Sequence, residues 1–165
     1  MASKRNWQPR EMRMLAEYLA SRYSKYPYQT RIRLGSIPIE LIKPGMDPVE
    51  KRMAGLWRRW ADAIVFKPDE LVVIEAAIKP SPGDISQLQL YEKLVHHTPE
   101  LEPFGTRPVA LELVYAIEDP IVLELARQAK IRVVYFKPTW LSDYMRILYP
   151  RERRATLTNK TDLTG

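Results

Sequence analysis

No cysteine occurs in the 165 residues, which excludes disulfides, thiolate nucleophiles and cysteine-ligated zinc. Histidine is nearly absent too, with only His96 and His97 side by side. Such a pair is a poor metal site, and a cation at the end of a helix answers the helix dipole instead. Metal chemistry therefore falls to carboxylates, whose oxygen ligands favour magnesium, manganese or calcium over zinc. No apolar run approaches the ~18 residues of a membrane-spanning helix. The N-terminal Met1-Ala-Ser-Lys-Arg-Asn-Trp7 has no apolar signal core. The expectation is a soluble, cytoplasmic protein with no membrane partner. No internal repeat or coiled-coil heptad is visible.

What is present suits one domain. A chain with 45% hydrophobic and 28% charged residues is long enough to bury a real core. Residues 1–150 are expected to form it, and 151–165, opened by Arg151, Arg153 and Arg154, lack periodicity and read as a tail. The net charge of +6 comes mainly from arginine, whose planar fork suits phosphate. An anionic partner is favoured, nucleic acid first. Arg31 and Arg33 alternate on an expected strand, and Arg58 and Arg59 lie between Trp57 and Trp60. These four arginines are candidates for backbone phosphate contacts, or for solvated strand-face charge. The tryptophans are candidates for stacking on unpaired bases, or for burial.

Hydrophobic spacing predicts a helix over 8–24, with Pro9 in its first turn. Strands are expected at 28–34 and 37–42. Asp47-Pro48 opens a short helix through Leu56. Two apolar runs, 59–66 and 70–79, flank the turn-like Lys67-Pro-Asp69 and read as a hairpin. Asp84 is the expected N-cap of a helix over 85–97, with Leu88, Tyr91, Leu94 and Val95 as its buried stripe. A strand over 108–117, a helix opened by Asp119-Pro120, a strand over 131–136 and a helix over 139–148 complete the chain. Strand–helix–strand units late in the chain imply an α/β fold, a mixed central sheet flanked by helices.

The hairpin carries the chemistry. Asp62 stands on its first strand and Glu75 on its second, with Lys79 further along. Period-two alternation puts Asp62, Ile64 and Phe66 on one face and Val73, Glu75, Ala77 and Lys79 together on one face. Two neighbouring carboxylates repel unless a cation or shared proton compensates. The pair suggests a divalent-metal site. The same residues are compatible with a strand ending in solvent and a Glu75–Lys79 surface charge pair.

In this arrangement residues 8–136 resemble the PD-(D/E)XK nuclease superfamily, the restriction-endonuclease-like fold. Asp62 in Ala61-Asp62-Ala-Ile-Val and Glu75 in Val73-Ile-Glu75 occupy the places of the family's metal-binding acids. Gln87-Leu-Gln-Leu-Tyr91 is similar to the Gln-x-x-x-Tyr element of the RecB-like branch, its two ends one turn apart on one helix face. The resemblance implies a three-layer fold and a DNA nuclease dependent on Mg2+ or Mn2+. It makes Asp62, Glu75, Lys79, Gln87 and Tyr91 catalytic, with a further metal-binding acid from the first helix, Glu17 or Glu11. The family lysine is displaced: Ala77 stands in its place, and Lys79 lies two residues beyond. The alternative is a catalytically degenerate nuclease-fold protein acting as a DNA-binding or structural packaging factor, in the host cytoplasm or virion if the source is viral. A homodimer would suit cutting both strands of a duplex.

Overall fold

The computed structural model describes residues 9–36, 43–50 and 58–148. The element order is α1 (Pro9–Arg22), β1 (Tyr28–Leu34), β2 (Arg59–Phe66), β3 (Leu71–Ala77), α2 (Pro82–Val95), a 3-10 helix (Pro99–Phe104), β4 (Val109–Tyr115), α3 (Pro120–Gln128), β5 (Arg132–Tyr135) and α4 (Leu141–Leu148). The expected strand over 37–42, the rest of the helix through Leu56, Trp57 and the 151–165 tail lie outside the described residues. Pro48–Glu50 is helical. Asp47 caps it, its Oδ1 accepting from the N–H groups of Val49 and Glu50, both at 2.8 Å.

The five strands lie in chain order, β1-β2-β3-β4-β5. The first three form an antiparallel meander, while β3–β4 and β4–β5 are parallel, joined by helical crossovers as parallel pairing demands. Helices cover both faces, giving the expected α/β three-layer architecture with a mixed sheet. On one face Ile64, Leu71 and Val73 pack with Ile85, Leu88, Tyr91 and Val95 of α2 and Val122 and Ala126 of α3. On the other, Ala63, Val65, Val72 and Ile74 pack with Met14, Leu15, Tyr18 and Leu19 of α1 and Leu141 of α4. β3 is buried along its whole length, as a central strand that is apolar apart from Glu75 requires. Leu88 is fully buried, and its truncation to Ala would cost ~2–5 kcal/mol.

Local chemistry sets the helix starts. Asp119 caps α3, its Oδ1 accepting from the Val122 N–H at 3.3 Å. Asp84, in contrast, is not the N-cap of α2. Ser81 takes that place and Pro82 opens the helix. Asp84 stands at the third helical position, its Oδ2 accepting from the N–H and hydroxyl of Ser81 at 2.7 and 3.0 Å. The acid thus closes a capping box from inside the helix, three residues later than a cap.

Strict alternation also fails at one rung. The β1–β2 ladder pairs Thr30 with Ala63 and Ile32 with Ala61 but omits Arg31 and Asp62 between them. Arg31 has φ 52°, a left-handed conformation that is strained in a bulky residue. At this point β2 rotates, so that Ala61 faces α2 while Ala63 and Val65 face α1.

Candidate active site

The β2–β3 ladder runs from Phe66↔Leu71 to Ala63↔Ile74 and stops. One further rung would pair Asp62 with Glu75, and a second would pair Ala61 with Ala76. Instead β2 departs, and the Asp62 side chain replaces the lost backbone partner: its Oδ2 accepts from the Ala76 N–H at 3.0 Å. The carboxylate therefore bridges to the edge of β3 in the plane of the sheet rather than standing on the face it would share with Ile64 and Phe66. Glu75, beside Ala76, is 1% exposed. The next N–H on the same edge, that of Ile78, donates to Glu11 Oε1 at 3.2 Å. Acids from β2 and α1 thus bond to alternate backbone donors where the meander opens, with Glu75 adjacent.

Glu11 is accordingly the α1 acid at the end of β3. Glu17 stands six residues along the helix, ~9 Å at 1.5 Å per residue. It accepts from Arg13 Nε at 3.1 Å and Trp140 Nε1 at 3.0 Å. The expected metal set of Asp62, Glu75 and Glu17 is not assembled, because Glu17 is turned to the α1–α4 contact. Among the described residues, no group of three or more His, Cys, Asp or Glu side chains is disposed to hold a metal ion.

Lys79 is also placed differently from the expectation. β3 ends at Ala77, and beyond it the Ile78 carbonyl accepts from the N–H groups of Ala116 and Ile117, which follow β4. Lys79 is exposed in the following bend, so the shared strand face with Glu75 does not extend to it. Tyr91 is 3% exposed, and its hydroxyl donates to the Trp60 carbonyl at 2.6 Å. It therefore fastens α2 to β2 two residues before Asp62. Gln87 precedes it by one turn on α2 and is partly buried.

The four arginines divide. Arg58 is committed internally: its Nη1 and Nη2 donate to Glu100 Oε1 and Oε2, both at 2.7 Å, and Nη2 also donates to the Arg33 carbonyl at 2.9 Å. A fork held in this bidentate way is not available as a phosphate contact, contrary to expectation. The pairing holds the Glu100 carboxyl below the usual range. Arg31 and Arg33 instead place their guanidinium carbons 5.7 and 4.5 Å from the Trp60 ring centroid. Trp60 is 46% exposed, so burial, the commoner state of tryptophan, does not apply to it. Arg59 is exposed and pairs in register with Leu34.

A polar centre that the sequence analysis missed lies on the α1 face of β4. Glu112, 2% exposed, accepts from the Tyr18 hydroxyl at 2.6 Å and the Tyr23 hydroxyl at 2.9 Å. Arg132 Nε is 3.8 Å away, and its Nη2 donates to Glu70 Oε1 at 3.2 Å. Burial, then the bond to Glu112, raise the Tyr18 hydroxyl far above its ordinary value. Burial and the Glu112 charge push Tyr23 up to about 12. The available signal was one acid inside the apolar run Val109–Tyr115, since a buried charge requires partners.

No protein-family model matches the chain, and no curated protein sequence does. Among solved structures, it is similar to EndoMS in a complex with double-stranded DNA, at 14% identity and a TM-score of 0.46, over 76% of this chain and 44% of that one. A repair endonuclease from Pyrococcus abyssi is similar at 14% identity and a TM-score of 0.47, over 79% of this chain and 47% of that one. The chain thus spans less than half the length of either. No helix among the described residues is long and apolar enough to cross a membrane.

Proposed function

We propose that this protein is a divalent-metal-dependent DNA nuclease of the PD-(D/E)XK type, hydrolysing phosphodiester bonds with Mg2+ or Mn2+. The observation that carries the reading is the opened edge of β3, where Asp62 reaches the Ala76 N–H beside the buried Glu75. Asp62 and Glu75 would hold the ion. Oxygen-only donors suit magnesium, which takes one or two carboxylates and completes its shell with water and substrate phosphate. The Asp62–Ala76 hydrogen bond is compatible with this, since an ionised carboxylate offers about four lone-pair positions. When bound, the ion would stabilise charge on the phosphoryl oxygens and acidify a water.

The remaining residues prepare the place. Tyr91 holds the β2 backbone at Trp60 and so limits the motion of the strand that carries Asp62. Gln87, on the same helix face, would orient the phosphate. Lys79, on a long flexible stem, would reach from the bend to neutralise charge at the reacting phosphate. The net charge of +6 favours a polyanionic substrate. A homodimer would bring two such edges to the two strands of a duplex.

Incubation with plasmid, linear and single-stranded DNA in Mg2+ or Mn2+, beside Asp62→Asn and Glu75→Gln, tests the assignment. Each variant should lose at least about a hundredfold in cleavage, since a bound ion contributes several kcal/mol to the transition state. Cleavage that persists in both would sink the site. A second reading, favoured by Ala77 in the lysine position and Lys79 beyond the strand, is a degenerate DNA-binding or structural accessory factor. Absence of cleavage by the wild type on every substrate, together with no calorimetric metal binding, would select it.

A further inference from the structure

An exposed tryptophan beside two arginines, next to the proposed site, is not explained by the core. Trp60 lies opposite Arg33 in the β1–β2 register. Alternation sets it on the face away from its buried neighbour Ala61, and 46% of its surface is in solvent. Arg33 and Arg31 approach its ring at 4.5 and 5.7 Å, within cation–π range. The Arg31 backbone is held at φ 52° at the rung the ladder omits. Strain of this kind persists where surrounding structure enforces it, and it collects at binding sites. Tyr91 holds the Trp60 carbonyl from the opposite layer, so the base of the indole is fixed while the ring is presented.

We infer that Trp60, with Arg31 and Arg33, is a stacking platform for an unpaired base, delivering a single-stranded stretch of DNA to the β3 edge. The combination suits single-strand recognition: a base stacks on the exposed indole in place of the guanidinium that lies over the ring, and the displaced cation meets a flanking phosphate. Duplex DNA hides its base faces and would use the arginines alone. Asp62 follows Trp60 by two residues, ~7 Å along the strand, so a base stacked on the indole sets a neighbouring phosphate near the Asp62 carboxylate at the sheet edge. This specifies the substrate class of the proposed nuclease and rests on that reading only for the word substrate.

Binding is measured in EDTA by fluorescence anisotropy, with labelled oligothymidylate and a labelled duplex of equal length, so that no cleavage enters. Wild type should bind the single strand more tightly. Trp60→Ala should weaken that binding roughly fivefold to a hundredfold, the range for loss of one stacked base, and leave duplex binding unchanged. Trp60→Phe should retain most of it. Arg33→Ala should lower the slope of log affinity against log salt by about 0.7 on the single strand. Equal affinity for the two DNAs, or an unaffected Trp60→Ala with an unchanged melting temperature, overturns the platform. Single-strand binding without any cleavage in Mg2+ removes the nuclease reading and leaves the platform standing. Cleavage without single-strand preference does the reverse.

Discussion

Replacing Tyr18 by Phe removes one oxygen and leaves the ring packed against Tyr23 and Phe136 at 5.9 and 5.5 Å, so its effect reports the hydroxyl alone. That hydroxyl donates to a carboxylate that is 2% exposed, and hydrogen bonds to charged groups contribute ~1.5–3 kcal/mol. A loss of about 2 kcal/mol is expected in urea unfolding near neutral pH, corresponding to roughly 4–8 °C in Tm for a chain of this size. Tyr23→Phe removes the longer bond and should cost less, about 1.5 kcal/mol by the same principle. The two losses should not add, because Glu112 keeps Arg132 near and shares both donors. Alkali gives an independent reading. Both tyrosines have hydroxyls raised in the folded state, so the native state holds its protons longer than the unfolded chain, whose tyrosines titrate near ~10. Their contribution is complete below that pH and is lost as pH rises through the folded value, about 12 for Tyr23. Stability should therefore fall in this window for the wild type, and less steeply for each Phe variant. A cost below about 0.5 kcal/mol for Tyr18→Phe, or an alkaline profile identical to wild type, would refute the reasoning.

Tyr91→Phe should destabilise by about 1 kcal/mol through loss of the 2.6 Å bond to the Trp60 carbonyl; in DNA-cleavage assays it should lower kcat more than it raises KM if β2 positioning matters. Gly35→Ala should be destabilising by more than about 1 kcal/mol in denaturant melts, because Gly35 has φ +88° and a Cβ there would stand 3.3 Å from Leu94 Cδ2. Arg58→Ala should leave the salt dependence of DNA binding unchanged, since its fork already holds Glu100 and the Arg33 carbonyl; a fall in slope like that of Arg33→Ala would show that Arg58 meets phosphate after all.

Local patterns proved readable where the deciding partners are near in the chain. β1 occupies Tyr28–Leu34 as its alternation predicts, and Asp119 opens α3 as its Asp-Pro pattern predicts. The departures come from partners distant in sequence or from geometry that periodicity omits. Arg58 meets Glu100 across forty-two positions, which no local spacing announces. Asp62 lies in the sheet plane because β2 leaves β3, and neither face of an ideal pleat describes that position. Lys79 shared a strand face with Glu75 only if the strand continued, and β3 ended two residues earlier. Helical phase alone does not say whether Glu11 or Glu17 meets a strand end, and it is Glu11 that bonds the Ile78 N–H. Trp60 defied burial because its register position beside Arg33 faces outward, whereas apolar character reads as inward.

The chain-order arrangement of the strands bears on how the molecule comes together. Asp62 and Glu75 belong to one hairpin closed by a short turn, so their approach costs little loop-closure entropy, and hairpins form in ~1–10 μs. The β3–β4 crossover brings α2, and with it Gln87 and Tyr91, only after a longer loop closes. In the proposed site Asp62 and Glu75 would converge before α2 packs, and their repulsion would oppose the early meander. A divalent cation or the neutral Asp62→Asn should thus accelerate refolding in stopped-flow measurements while changing unfolding little; equal rates would show that the carboxylates meet only after the transition state.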